Sequence, residues 1–124
     1  MKVEELRVGN YVLLKKHGGY INYEISSGFD LYKLDESDCA DISPIPLNEE
    51  LLLRLGFKDK STSLTDVKFS NNIVTIYMDE NSFYCLDVLN QGSGIYTIFI
   101  NIIHLHQLQN LYFALTGEEL TIKL

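Results

Sequence analysis

The chain has only two cysteines, Cys39 and Cys85, far apart among 124 residues. So sparse a set excludes a disulfide framework. The opening MKVEELRVGN carries acids and has no apolar run ahead of a cleavage site, so no signal peptide is read there. Reduced cysteines and a cytoplasmic protein are therefore the expectation. Long hydrophobic runs are also missing. The longest, Ile98–Ile103, is broken by Asn101 and is too short to span a bilayer, so no membrane partner is expected. Basic charge is scarce, with 10 Lys and Arg against 17 Asp and Glu, a net charge of −7. The deficit is even. Segment 1–46 has five basic and eight acidic residues (−3), and segment 47–124 has five and nine (−4). An evenly acidic surface repels phosphate backbones, which disfavours direct nucleic-acid binding.

Catalytic signatures are equally thin. No Gly-x-Ser-x-Gly elbow occurs, and Gln91–Gly94 lacks the lysine and spacing of a phosphate loop. Asp35–Asp41 is acidic but has no glycine for a cation-binding bend, and reads as a solvated loop. His104-x-His106 is the one pair that suggests a metal. Its side chains share a face on a strand and diverge on a helix, and the junction falls near residues 102–105, which leaves both arrangements open. Further zinc ligands would have to come from Cys39, Cys85 or Asp87, so no metal and no cofactor is expected.

What is present is a folding pattern. Hydrophobic residues at 46% with charged residues at 22% mark a globular chain, long enough to fold without a disulfide or metal. Tyr11–Leu14, the KKHGG turn and the alternating Tyr20–Ile25 predict a hairpin. Ser26–Gly28 predicts a second turn, with a third strand beginning at Phe29, Leu31 and Lys33. After the extended Ser43–Pro46, residues 47–55 predict a short helix with Asn48 as its N-cap, Glu49 and Glu50 in its first turn and Gly56 as its stop. Four strands follow, at Val67–Phe69 (beginning as early as Leu64), Ile73–Met78, Phe83–Val88 and Ile95–Ile100. The turns at Asn71–Asn72, Asp79–Asn81 and Gln91–Gly94 make them an antiparallel meander.

A C-terminal helix over 104–116 is the clearest element. Leu105, Leu108, Leu111, Tyr112 and Leu115 fall in one arc, the stripe of a helix lying on a sheet, here the meander. Gly117 stops it. Thr116-x-x-Glu119 fits a capping box for a following turn, and a terminal strand over Leu120–Leu124 is allowed. Opposite the leucines, His106, Gln109, Asn110 and Phe113 line up at i, i+3, i+4 and i+7 as a polar stripe holding one large aromatic. One reading packs Phe113 on the N-terminal unit and bonds the amides to loop backbone. The other makes the four residues an exposed binding strip, since aromatics amid polar groups anchor interfaces.

Three blocks, LRVGNYV (Leu6–Val12), PIPLNEELLLRLGF (Pro44–Phe57) and HLHQLQNLYFALTGEEL (His104–Leu120), resemble a family of small uncharacterised proteins of gut anaerobic bacteria and their phages and mobile elements. Leu51–Leu52 stand where that family often has a tryptophan. The resemblance implies a bacterial or prophage origin and no particular activity. The opening strand also resembles the first strand of SH3-like barrels.

The expectation is an α+β protein with a small β-rich, SH3-like unit over 1–45 and an α+β unit over 46–124. The latter holds the linking helix, the meander and its C-terminal cover. The expected function is a non-enzymatic protein-binding or adaptor module, self-association included, acting through His106, Gln109, Asn110 and Phe113. The alternative is a small enzyme using His104 or His106 as acid and base in a cleft between the two units.

Overall fold

The structure is a computed structural model that describes residues 1–37, 39–61, 67–71, 73–79, 82–90, 94–122 and 124. The chain divides into two compact units. One holds Met1–Pro46 with His104–Leu120, and the other Leu47–Ile103 with Thr121–Leu124. The helix expected to cover the meander is therefore grouped with the N-terminal strands.

In the first unit, Tyr11–Lys16 (β1) and Gly19–Glu24 (β2) form the expected hairpin. Its third partner is Ile42–Ser43 (β3), in the order β2-β1-β3. Three strands, one only two residues long, leave this sheet open, so the described residues close no SH3-like barrel. The strand expected at Phe29 is instead a helix, Gly28–Glu36 (α1). Ser27 caps it, its Oγ accepting from the Asp30 N–H at 3.2 Å, and the Asp30 carboxylate takes the Ser26 N–H and hydroxyl at 3.0 Å each. This cap, with Asp30 reaching back to Ser26, outweighs the weak strand alternation of Phe29, Leu31 and Lys33. It also draws Asp35 and Glu36 of the expected acidic loop into the last helical turn. Val12, Ile25, Ile42, Cys39 and Leu6 form the core here, with Leu14, Tyr23, Leu31 and Leu34 packed against it. Cys39 forms no disulfide among the described residues.

The C-terminal helix, Leu105–Thr116 (α3), packs on β1. Its Leu105 N–H bonds the Ile45 carbonyl at 2.8 Å, and Gly117 ends it in the left-handed conformation at φ 73°. Glu119 does not complete the expected capping box. Thr116 Oγ1 accepts from the Glu118 N–H at 3.1 Å, and the residues that follow to 122 form no strand.

The second unit begins with Glu49–Arg54 (α2), where the Asn48 side chain accepts from the Leu51 N–H at 2.7 Å. Leu51, Leu52 and Leu55 point inward, as their spacing requires. Losing the cap in Asn48→Ala is expected to cost about 1 kcal/mol. The check is a lower denaturant midpoint at unchanged slope; an unmoved midpoint would mean that the cap contributes nothing. Beyond α2 come Lys58–Asp59 (β4), Val67–Ser70 (β5), Val74–Asp79 (β6), Ser82–Asn90 (β7) and Gly94–Ile102 (β8), every strand beside its sequence neighbour and antiparallel to it. This is the expected meander with one short strand added. Phe69, Val74, Ile76 and Ile102 are buried in it. The turn positions Asn72, Glu80–Asn81 and Gln91–Ser93, the early start at Leu64, and the Cys85 and Asp87 side chains lie outside what is described. Among the described residues, no helix is long and apolar enough to cross a membrane.

Candidate functional site

The four residues of the polar stripe do not share one environment. Gln109 and His106 are buried, at 1% and 3% exposed, while Asn110 is half-buried and Phe113 is 39% exposed. Leu115, expected in the core, is exposed. The buried face of α3 is thus Leu105, His106, Leu108, Gln109 and Tyr112, turned from the leucine stripe toward the polar one.

The N-terminal segment explains the turn. Gln109 Nε2 donates to the Gly9 carbonyl at 2.8 Å, and its Oε1 accepts from the Tyr11 N–H at 2.9 Å. One side-chain amide thereby serves backbone groups at the start of β1, as a neighbouring strand would. Asn110 works beside it. Its Nδ2 donates to the Glu5 carbonyl at 3.1 Å, and its Oδ1 accepts from Asn10 Nδ2 at 2.8 Å and Arg7 Nε at 3.1 Å. Asn10, fully buried, closes the loop by accepting the Arg7 N–H at 2.7 Å. An unpaired buried amide is costly, so this set of amides holds the N-terminal segment to the helix.

Arg7 carries the network to the surface. Its guanidinium pairs with Glu119, donates to the Val8 carbonyl at 3.0 Å, and lies over the Phe113 ring at 4.4 Å from the centroid. That is a cation–π contact on an exposed ring. Neither Arg7 nor Glu119 belongs to the stripe read from helical spacing. Both lie within the blocks Leu6–Val12 and His104–Leu120, and their pairing bridges the two.

His104 caps α3 from extended backbone, its N–H bonding Gln107 Oε1 at 3.1 Å, while His106 sits in the first turn. The rings lie face to face, 5.8 Å between centroids and 10° from parallel. They stack rather than converge on a point, and no group of three or more His, Cys, Asp or Glu placed to hold a metal occurs among the described residues. Burial first, and the neighbouring His104 second, lower the pKa of His106, while Glu5 works against them. Its Nδ1 has no hydrogen-bond partner among the described residues.

A shallow cavity of about 210 Å³ in the same unit is lined by Tyr23, Asp30, Lys33, Ser37 and Asp41 over Leu14 and Leu34. Asp30 is held below the usual carboxylate range by its Ser26 bonds, and burial pushes the Tyr23 phenol up. The space falls short of the roughly 300 Å³ or more of a small-molecule site. Comparison with family models, with curated proteins and with solved structures finds no match to this chain.

Proposed function

We propose that the chain is a non-enzymatic binding module acting through protein contacts, and that its contact surface is the end of α3 where Arg7 lies over Phe113. The half-exposed Phe113 ring under a fixed guanidinium carries this reading. Arginine and aromatic residues supply most interface anchors. Arg7 is already held by Asn110, Glu119 and the Val8 carbonyl, so docking on it gives up little side-chain entropy. Of the four residues first singled out, Phe113 and Asn110 belong to this surface, Gln109 supports it through its bonds to Gly9 and Tyr11, and His106 lies apart in the first turn of α3. The even acidity favours a protein partner over nucleic acid. The resemblance of the three sequence blocks supports a bacterial or phage origin for this module, and the sparse cysteines favour a reducing compartment such as the cytoplasm.

A photo-crosslinking residue at position 113, in cells that carry the protein, identifies the partner. Phe113→Ala is then expected to weaken the purified complex at least about tenfold, or ~1.4 kcal/mol. Its melting temperature stays within a few degrees of wild type, because an exposed ring contributes little to the core. Full affinity in Phe113→Ala would overturn the reading. So would unfolding of this variant, which would make the ring a core residue.

A further inference from the structure

The outer edge of β2 offers a second surface, independent of the Arg7–Phe113 stack. Its hairpin turn fixes which backbone groups face outward. His17 and Gly18 both have positive φ, 50° and 81°, the pattern of a two-residue type I′ turn. Lys16 and Gly19 beside such a turn exchange both backbone bonds. Alternation makes Leu14–Ile21 and Val12–Tyr23 the next bonded pairs, and the Ile25 N–H on the Asn10 carbonyl at 2.9 Å continues the series. The other edge of β1 agrees, since the Lys15 N–H turns away from β2 to the Asp41 carbonyl at 2.8 Å. The N–H and C=O groups of Tyr20, Asn22 and Glu24 therefore point away from β1. No backbone partner meets them among the described residues.

Edges left this way are usually guarded by lysine, proline or a bulge. β2 has none of the three, and its register with β1 runs unbroken from Gly19 to Glu24. Tyr20 and Ile21 on it are 58% and 45% exposed. We propose that β2 is a self-association edge, on which a second copy of this chain pairs antiparallel about a two-fold axis through Asn22.

The sequence of the strand selects that occupant. A two-fold contact requires that if one residue meets another, the reverse contact forms as well. Centred on Asn22, the pairing sets Tyr20 against the second copy's Glu24, Ile21 against its Tyr23, and Asn22 against its Asn22. A phenol meets a carboxylate, an aliphatic meets an aromatic, and amide meets amide. Each is a favourable or neutral cross-strand pair. Glu24 is the strand's one ionised side chain, so no like charges oppose. This register also uses all three outward-facing residues of both copies, whereas centring on Ile21 or Tyr23 leaves one of them unmatched. A single strand pair is a small interface, so the dimer is weak and reversible. Each copy carries −7, so added salt strengthens it.

Amide exchange followed by NMR on the whole chain tests this, at about 1 mM and again at about 20 μM. The amides of Tyr20, Asn22 and Glu24 are expected to exchange at least about tenfold more slowly in the concentrated sample. Ile21 and Tyr23, already bonded to β1, should not change. The sedimentation mass should rise in parallel from 14.2 kDa toward twice that value. Asn22→Pro removes a donor that the fold itself does not use, so the monomer spectrum should persist while the concentration dependence disappears. Exchange independent of concentration would overturn the proposal, as would continued association of a folded Asn22→Pro chain. Protection that appears only when an extended peptide from another protein is added would also overturn it. Should Asn22→Pro fail to fold, the alternating pattern in the wild-type chain decides alone.

Discussion

Gln109→Leu is expected to destabilise the protein by about 2–4 kcal/mol, because it strands the Gly9 carbonyl and the Tyr11 N–H together. Leucine fills much of the same buried volume, so the loss is polar rather than one of packing. Neither orphaned backbone group has another strand to turn to, since this end of β1 is where the helix stands in for one. At this chain length the effect corresponds to a melting temperature lower by roughly 10–20 °C. Gln109→Glu sharpens the test. Its carboxylate keeps the Tyr11 bond but sets an oxygen against the Gly9 carbonyl and buries a charge. Protonation restores a donor at that position, so the glutamate variant gains stability relative to Gln109→Leu as the pH falls through its raised pKa. Thermal denaturation of both variants at two pH values checks this. A shift of less than about 2 °C in Gln109→Leu would mean that the amide closes nothing.

The same residue marks how far the sequence could be read. The hairpin, the Asn48-capped helix, the meander and the C-terminal helix all carry local signals: a His-Gly turn, a cap, alternation, and a leucine stripe. Those signals act within a few residues, and each matches an observed element. Helix α1 carries a weaker signal. Only Leu31 and Leu34, both half-buried, turn inward from it, so its apolar stripe is short and competes with the alternation of Phe29, Leu31 and Lys33. The available clue was Ser27-x-x-Asp30, the cap on which it starts. On α3 the amides bond backbone of the N-terminal segment, as one of the two readings of the polar stripe has it, yet the leucine arc alone does not place the buried face. Hydrophobic spacing assumes that apolar groups go inward, whereas Gln109 and Asn110 are drawn to backbone and side chains about a hundred positions earlier. No periodicity encodes pairings of that separation. The grouping of α3 with the N-terminal strands is lost in the same way, and so is Arg7 as the partner of Glu119 and Phe113. Local propensity reached the elements; long-range polar pairing decided which unit received them.

Mild acid should selectively loosen the start of α3, and His106 should be the cause. Its imidazole is 3% exposed, stacked on His104, with the Met1 amino group also disfavouring a second positive charge and Glu5 only partly offsetting them. The folded pKa is therefore depressed below that of the unfolded chain, near 6.5. For a histidine shifted this way the unfolded state binds the proton more readily. The stabilisation is complete above the unfolded pKa and is lost as the pH falls through it toward the folded value. The slope cannot exceed about 1.4 kcal/mol per pH unit for one group. His106→Phe keeps a ring against His104 and removes the proton site. At pH 7.5 it should lie within about 1 kcal/mol of wild type, since the ring remains and Nδ1 has no partner to lose. Between pH 7 and 5 wild type should lose stability relative to the variant. Asp30 and Glu5, whose carboxyls sit below their usual range through hydrogen bonds, are retained in both proteins and act mainly at lower pH. Their contribution therefore largely cancels in the comparison. Denaturant midpoints of the two proteins across that range give the difference directly. Parallel curves would place the acid sensitivity elsewhere, whereas a wild-type curve that falls away from that of the variant only below neutrality assigns it to the buried imidazole.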